Sequence, residues 1–251
     1  MKALITGASS GIGREMAKVL SAQGYDLVIT ARRENRLGEL KGQLKTNTEV
    51  IAADLSEESE CLRLYNNVKG QNIDILINAA GFGVFGAFDE TDLTRELDLI
   101  NVDIKALHIL TKLFYKDFKK RGSGYILNVA SAAAFQPGPL FSSYYAAKAY
   151  VLHLTEALAE ELRRSKSPVY IGALCPGPVA TEFDSVADVR FSVRSLSSFA
   201  VARYAVDRMF ARKTVIVPGM QMKLARFAER FLPEAAVVRA AYHMQRRKTH
   251  P

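Results

Sequence analysis

The sequence predicts one α/β domain: a doubly wound, mostly parallel seven-stranded sheet with helices on both faces, three layers αβα, followed by a helical C-terminal extension. Three observations carry that expectation. Seven short apolar, β-branched runs alternate with longer stretches of helical period. The runs show little polar–apolar alternation, as in strands covered on both faces. No linker, repeat or low-complexity segment breaks the rhythm.

The elements follow in chain order. Ala3–Thr6 is the first strand, and the glycine-rich turn after it opens a helix over Gly13–Gln23. Asp26–Thr30 and Thr48–Ala52 are the second and third strands, and a helix is expected over Glu57–Lys69. Ile73–Asn78 is the fourth strand, with one long helix expected over Asp92–Lys120. Gly124–Val129 is the fifth, followed by a helix over Ser143–Ser165, with Ser142 and Ser143 read as loop and N-cap. Tyr170–Cys175 and Thr214–Pro218 complete the sheet. The core thus spans 1–219 and the extension 220–251 of a single domain, 1–251.

Composition excludes several classes. The 251 residues are 49% hydrophobic and 24% charged, too apolar for a disordered chain. Two cysteines, Cys61 and Cys175, cannot build a disulfide scaffold, and no Cys/His cluster has zinc-ligand spacing, so no metal is expected. The opening residues lack the pattern of a secretory leader, and no uninterrupted apolar run reaches the roughly 18 residues of a spanning helix. A reducing, cytoplasmic setting is the expectation. The formal charge of +8 is unevenly spread: residues 190–251 hold 13 Lys/Arg against 3 Asp/Glu, while residues 1–189 are nearly neutral. A basic segment on a neutral body is compatible with an anionic surface, an anionic substrate or a solvated face, and is not a nucleic-acid signature here.

The turn after the first strand reads Thr6-Gly7-Ala8-Ser9-Ser10-Gly11-Ile12-Gly13. Gly7 permits a tight turn, Gly11 lets the backbone approach a pyrophosphate, and Gly13 lets the helix pack close to the sheet. The anion would rest on free N–H groups at the positive end of the helix. The spacing G-x-x-x-G-x-G departs from the commoner G-x-G-x-x-G and lacks the lysine of a Walker loop. The alternative is a plain strand-to-helix turn, which this position between first strand and first helix disfavours. After the second strand, NAD-selective enzymes place an acid for the ribose 2′-hydroxyl. Here Arg32 and Arg33 stand instead, two guanidiniums that can clamp a 2′-phosphate, with Arg14 as a third cation. This argues for NADPH over NADH. The alternatives are that both arginines are merely solvated, or that Glu34 turns toward the ribose.

The glycine turn, together with six more motifs in order, resembles the short-chain dehydrogenase/reductase family over residues 1 to about 219. The others are Asp54-Leu55 after the third strand, Asn78-Ala79-Ala80-Gly81 after the fourth, and Asn101 in the following helix. Ser131 with Tyr144-Tyr145-Ala146-Ala147-Lys148 (Y-x-x-x-K) and the loop Pro176-Gly177-Pro178-Val179-Ala180-Thr181 complete the set. The resemblance implies a Rossmann-type fold. It implies cofactor contacts at Gly7, Ser9, Ser10, Gly11, Ile12, Gly13, Arg32, Arg33, Asp54, Leu55, Asn78, Ala79, Ala80, Tyr144, Lys148, Pro176, Gly177, Val179 and Thr181. It also implies that Lys148 holds the nicotinamide ribose, that Asn101 supports a water relay to Lys148, and that a mobile substrate-covering segment lies over 182–213. Homodimers or tetramers built from the long helices are implied as well.

The residues themselves argue the chemistry. Tyr144 and Lys148, four apart, share a helix face. A free phenol titrates near 10, too high to exchange protons readily at pH 7, and a neighbouring ammonium is expected to lower that value. Tyr144 then acts as general acid in carbonyl reduction, and the Ser131 hydroxyl hydrogen-bonds the substrate oxygen as charge develops. Tyr145 is the rival phenol but lacks the lysine four residues on.

Phe183, Val186, Phe191 and Val193 suggest a partly apolar substrate wall, the alternative being a solvated linker. Gln136–Phe141 should form the opposite wall. Farther on, Leu224, Phe227, Ala228 and Phe231 recur at helical spacing with Lys223, Arg226 and Arg230 on other faces, an amphipathic basic helix. Three readings compete: it packs on its own domain or a sister subunit, touches an anionic membrane surface, or attracts an anionic substrate such as a coenzyme A ester. The expected activity is NADPH-dependent reduction of a ketone or aldehyde, or the reverse alcohol oxidation. The rivals are a redox-sensing NADPH binder without turnover and an epimerase or dehydratase on the same fold.

Overall fold

The chain enters the sheet at its middle and winds outward twice. In the computed structural model, which describes residues 1–183, 187, 195–229 and 231–246, β1 (Lys2–Thr6) leads through α1 (Gly11–Ala22) to β2 (Asp26–Ala31). α2 (Glu34–Lys41) then leads to β3 (Thr48–Ala52) at one edge. α3 (Glu58–Val68) carries the chain back across β1 to β4 (Ile73–Asn78). α4 (Leu93–Ile100), a π-helical segment Asn101–Ala106 and α5 (Leu107–Arg121) precede β5 (Tyr125–Val129). A 3-10 turn, Ala132–Phe135, and α6 (Ser142–Arg164) lead to β6 (Tyr170–Leu174). The strands pair in parallel in the order β3-β2-β1-β4-β5-β6-β9, where β9 is Val215–Ile216. The order reverses between β1 and β4, and a crevice opens beyond the carboxyl ends of those two strands.

Alternation within each strand divides the core. Ala3 and Ile5 of β1 pack under α1 on one face, and Leu4 packs toward α3 and α5 on the other. Because both faces are buried, the strands read as apolar runs. Two short strands, β7 (Val179–Ala180) and β8 (Leu196–Ser197), pair with each other. They are followed by α7 (Ser198–Phe210), α8 (Met220–Glu229) and α9 (Glu234–Arg246).

All seven expected runs are strands, though the last shrinks to two residues. The helix expected unbroken over Asp92–Lys120 is interrupted at Asn101, where six residues adopt π geometry. The N-cap of α6 is Phe141, one residue ahead of the expected serines. Within the stretch expected to cover substrate, 182–213, residues 198–210 are α7. Val201, Ala202, Ala205, Val206 and Met209 bury that helix in the core beneath α1. Asp184, Ser185, Val186, Phe191 and Val193 lie outside the described residues, as does Arg230. α8 has no buried residue: Leu224, Phe227, Ala228 and Phe231 are all exposed, so within this chain the apolar stripe does not pack on its own domain, and the sister-subunit, membrane and anionic-substrate readings stay open.

Candidate active site

A cavity of about 600 Å³ runs from the glycine turn, over the carboxyl ends of the central strands, to the C-terminal helices. At the turn, Gly7 and Gly11 have φ of +67° and +56°, which favour glycine. A Cβ on Gly7 would stand 2.7 Å from the Ala79 carbonyl oxygen, and one on Gly13 would stand 2.6 Å from that of Gly7. Thr6 Oγ1 accepts from the amides of Ala79 and Ala80 at 3.0 and 3.1 Å, tying the turn to the segment after β4. The N-cap of α1, Ser10, gives no side-chain cap, so first-turn amides are left for a ligand. A glycine cradle and uncapped amides on the cavity wall fit a pyrophosphate.

At the end of β2, Arg32 and Arg33 both line the cavity. Arg33 Nη2 donates to Ser9 Oγ at 3.1 Å and Nη1 pairs with Glu182 at 2.9 Å. Arg36, which the sequence reading missed, also pairs with Glu182. The two guanidiniums hold that carboxyl below its usual range. Arg14, considered as a third cation, reaches Gln43 instead and lies outside the lining, and Glu34 lies outside it too. Asp54 and Leu55 line the cavity, with Asp54 Oδ1 accepting from Ser56 N and Oγ at 3.1 and 2.9 Å.

Asn78 and Asn101 are placed differently from the expectation. Asn78 is buried and donates to Thr111 at 3.0 Å and Asn128 at 2.9 Å, while Asn128 donates to Thr155 at 3.0 Å. This network ties β4 and β5 to α5 and α6, and the cavity wall here is made by Ala79, Ala80 and Gly81 instead. Asn101 opens the π-helical segment and lies outside the lining, to which Val102 contributes.

Ser131, Tyr144 and Lys148 come together on one wall. Ser131 caps the 3-10 turn, its Oγ accepting from Ala133 N at 3.1 Å, and its hydroxyl acts to lower the Tyr144 phenol. Lys148 Nζ lies 5.5 Å from the Tyr144 ring centre and donates to the Val129 carbonyl at 3.2 Å. Its charge partner is Asp103 at 2.9 Å, fully buried on the π-helical segment and absent from the sequence reading. Asp103 Oδ1 also accepts from Phe82 N at 3.0 Å. The π segment carries Asp103 to Lys148 of α6 and to the Phe82 amide after β4; no sequence motif flagged it.

The electrostatics correct one expectation. Burial raises the Tyr144 phenol, and Lys148 and Ser131 pull it back without cancelling the rise. The physical reasons are loss of water and the Asp103 carboxylate, which opposes the pull of Lys148. Burial pulls the Lys148 amine down, but Asp103 and Tyr144 more than offset it and the net direction is up. Burial raises Asp103 as well. The pair therefore holds its proton tightly.

The far half of the cavity is aromatic and apolar. Phe141 stacks on Tyr144 at 4.7 Å and Phe183 lies 5.2 Å from it. Gln136 and Phe141 line one side, as expected, and Met222, Ala225, Arg226, Glu229 and Met244 of α8 and α9 close another, which the sequence reading left undecided. Tyr145 also lines this half, accepting from Gln245 Nε2 at 2.6 Å, and burial pushes its phenol up to about 12. Pro176, Gly177, Val179 and Thr181 bridge the two halves.

A doubly wound sheet with a glycine cradle and a buried Ser–Tyr–Lys wall over its switch point belongs to the class of dinucleotide-binding enzymes, and comparison with known proteins gives the family. Residues 1–189 match the family model for short chain dehydrogenases. An uncharacterized oxidoreductase of Staphylococcus epidermidis is 37% identical over 183 residues, covering 71% of this chain and 78% of its own. A very-long-chain 3-oxoacyl-CoA reductase of Anas platyrhynchos is 31% identical over 198 residues, 75% of this chain and 63% of its own. A short-chain dehydrogenase from Sphingobium yanoikuyae, solved in complex with NADPH, superposes with a TM-score of 0.81 at 29% identity, covering 93% of this chain and 97% of that one. The chain belongs to the short-chain dehydrogenase family of oxidoreductases.

Proposed function

We propose that the protein is an NADPH-dependent reductase of a bulky, largely apolar ketone or aldehyde. The observation that carries the reading is the convergence of Ser131, Tyr144 and Lys148 on one cavity wall beside the glycine cradle. Gly7, Ser9, Ser10, Gly11, Ile12 and Gly13 hold the pyrophosphate; Asp54 and Leu55 face the adenine; Ala79, Ala80, Pro176, Gly177, Val179 and Thr181 flank the nicotinamide end. Arg32 and Arg33 would take the 2′-phosphate, Arg33 once released by Glu182, which also holds Arg36. The bound cofactor supplies the hydride. Ser131 orients the substrate oxygen, Tyr144 protonates it, and Lys148 anchors the nicotinamide ribose and stabilises the phenolate left on Tyr144. A phenol raised by burial rests protonated at neutral pH, which suits an acid in the reductive direction.

Phe141, Phe183, Met222 and Met244 support an apolar substrate. Two similar proteins point the same way: one is by name a reductase of 3-oxoacyl-CoA, the other was solved with NADPH. For assembly, exposed Leu93, Leu97 and Ile100 of α4 and Tyr150 of α6 offer a face for a second copy, in keeping with a cytoplasmic homodimer or tetramer. The test is NADPH consumption with a panel of ketones and aldehydes of increasing bulk. Turnover with bulky apolar members that Tyr144→Phe abolishes supports the reading. Turnover unchanged by Tyr144→Phe, or none with any carbonyl, overturns it.

A further inference from the structure

We infer that the outer face of α8 is a docking surface for an anionic lipid bilayer. The helix is two-sided. Met222, Ala225 and Glu229 form the inner wall of the cavity. At about 100° per residue, Met220, Leu224 and Phe227 project on the opposite side of the helix, and Phe231 follows just past its end. Their exposures are 68%, 60%, 61% and 72%, and Leu232 beside them is exposed as well. Phe227 and Phe231 pack edge to face, 5.2 Å between centres, so the stripe is continuous where the helix ends. Isolated exposed apolar residues are ordinary; three large ones along a single helix face, extended by Phe231 at its end, are not.

Charge selects the occupant. Exposed Lys223 flanks the stripe, and Lys223 Nζ reaches the Tyr204 hydroxyl at 3.2 Å, joining α8 to α7, which presents Arg203 and Arg208. Arg239 is exposed on α9. The acids of these helices are fewer: Asp207 of α7 and Glu234 of α9 are exposed, and Glu229 turns into the cavity. Residues 190–251 carry 13 Lys/Arg against 3 Asp/Glu. A second copy meeting this face about a two-fold axis would set like charges together, whereas an anionic bilayer takes the apolar row and the cations at once. The α4 face already offers an apolar surface to a second copy. Docked through α8, the protein would hold its cavity about one helix diameter, ~10 Å, from the lipid. Among the described residues no helix is long and apolar enough to cross a membrane, so the contact lies on the surface.

The test is co-sedimentation of the full chain, without substrate or cofactor, with vesicles of phosphatidylcholine alone and of phosphatidylcholine with phosphatidylglycerol, at low and high salt. The expected result is pelleting with the anionic vesicles at low salt and release as salt screens the charges. Leu224→Ser with Phe227→Ser should cut the bound fraction about tenfold while leaving the thermal midpoint and circular dichroism unchanged. Absence of pelleting by the parent protein, equal pelleting by the double variant, or equal binding to neutral vesicles would each overturn the proposal. If the parent protein does not pellet and the double variant lowers the oligomeric state in sedimentation velocity, the face pairs with a second copy instead. None of these readings touches the proposed activity, which is measured separately.

Discussion

Lys148 and Asp103 form a 2.9 Å ion pair in which the carboxylate is wholly buried and the lysine nearly so. The pair joins the helix that carries Tyr144 to a π-helical segment under the cofactor crevice, and its two charges act on the phenol in opposite directions. Asp103 is thus a positioning residue: it lies outside the cavity lining and acts on Tyr144, the proposed proton donor, through its ion pair with Lys148.

Asp103→Asn should leave the Lys148 ammonium without its buried counter-charge and cost about 3–5 kcal/mol of stability, read as a fall in thermal midpoint. Where enough protein folds, the alkaline rise of the alcohol-oxidation rate should move to lower pH. Removing Asp103 takes away an influence that raises Tyr144, so the phenolate forms sooner. A move to higher pH would mean that Lys148 loses its proton without Asp103, and the charged-lysine assignment would fall. Asp103→Glu should restore the profile in part.

In the parent enzyme the reductive rate should hold through neutral pH and decline only on the alkaline side. Burial keeps the Tyr144 phenol protonated there, and the raised Lys148 amine keeps its charge in the same window. The Lys148 charge contributes stability that is present below the ordinary lysine range and lost as pH rises through the elevated Lys148 value, while on the acid side the pair is lost as the raised Asp103 carboxyl protonates. A reductive rate that falls between pH 6 and 7 (about three to four units below where a free tyrosine or lysine titrates) would contradict this.

Tyr144→Phe keeps the stack on Phe141 and removes only the hydroxyl. Turnover should fall by about 10²–10⁴ with NADPH affinity within a factor of a few, measured by steady-state rates and by quenching of cofactor fluorescence. Equal losses in both would make the change structural.

Glu182 competes with any 2′-phosphate for Arg33 and Arg36. Glu182→Gln should tighten NADPH several-fold and NADH little, in calorimetric titrations. Arg33→Ala should do the reverse, weakening NADPH about tenfold or more. Indifference of the NADPH to NADH ratio to both changes would remove the phosphate assignment.

Gly13→Ala puts a methyl 2.6 Å from the Gly7 carbonyl oxygen, backbone that cannot move aside without displacing α1. Loss of NADPH binding, with a lowered thermal midpoint, is expected. Gly38→Ala, where a methyl meets nothing within 4 Å, is the control and should be neutral.

How much of this was legible in the chain follows from which interactions are local. The seven strands announce themselves because both sheet faces are buried and the residues must be apolar throughout. The glycine turn, Ser131 and the Tyr144–Lys148 spacing are written in short segments, since a turn conformation or a shared helix face depends on neighbours a few positions apart. Asp103, Arg36 and Glu182 were not legible: each acquires its partner 45, 146 or 149 residues away in sequence, or fewer, only when helices pack. Asn78 was misread for the same reason, because a motif names a residue and packing decides which way it faces.

The sequence by itself determined the sheet and the crevice over its centre, because periodicity and short spacings encode local conformation directly, and its resemblance to the short-chain family pointed to Ser131, Tyr144 and Lys148. Only the tertiary structure decided that Asp103 balances Lys148, that burial raises Tyr144, and that α8 walls the cavity with one side and shows its apolar row to solvent with the other. Those outcomes depend on which surfaces meet and which groups lose water, and both are properties of the folded chain as a whole.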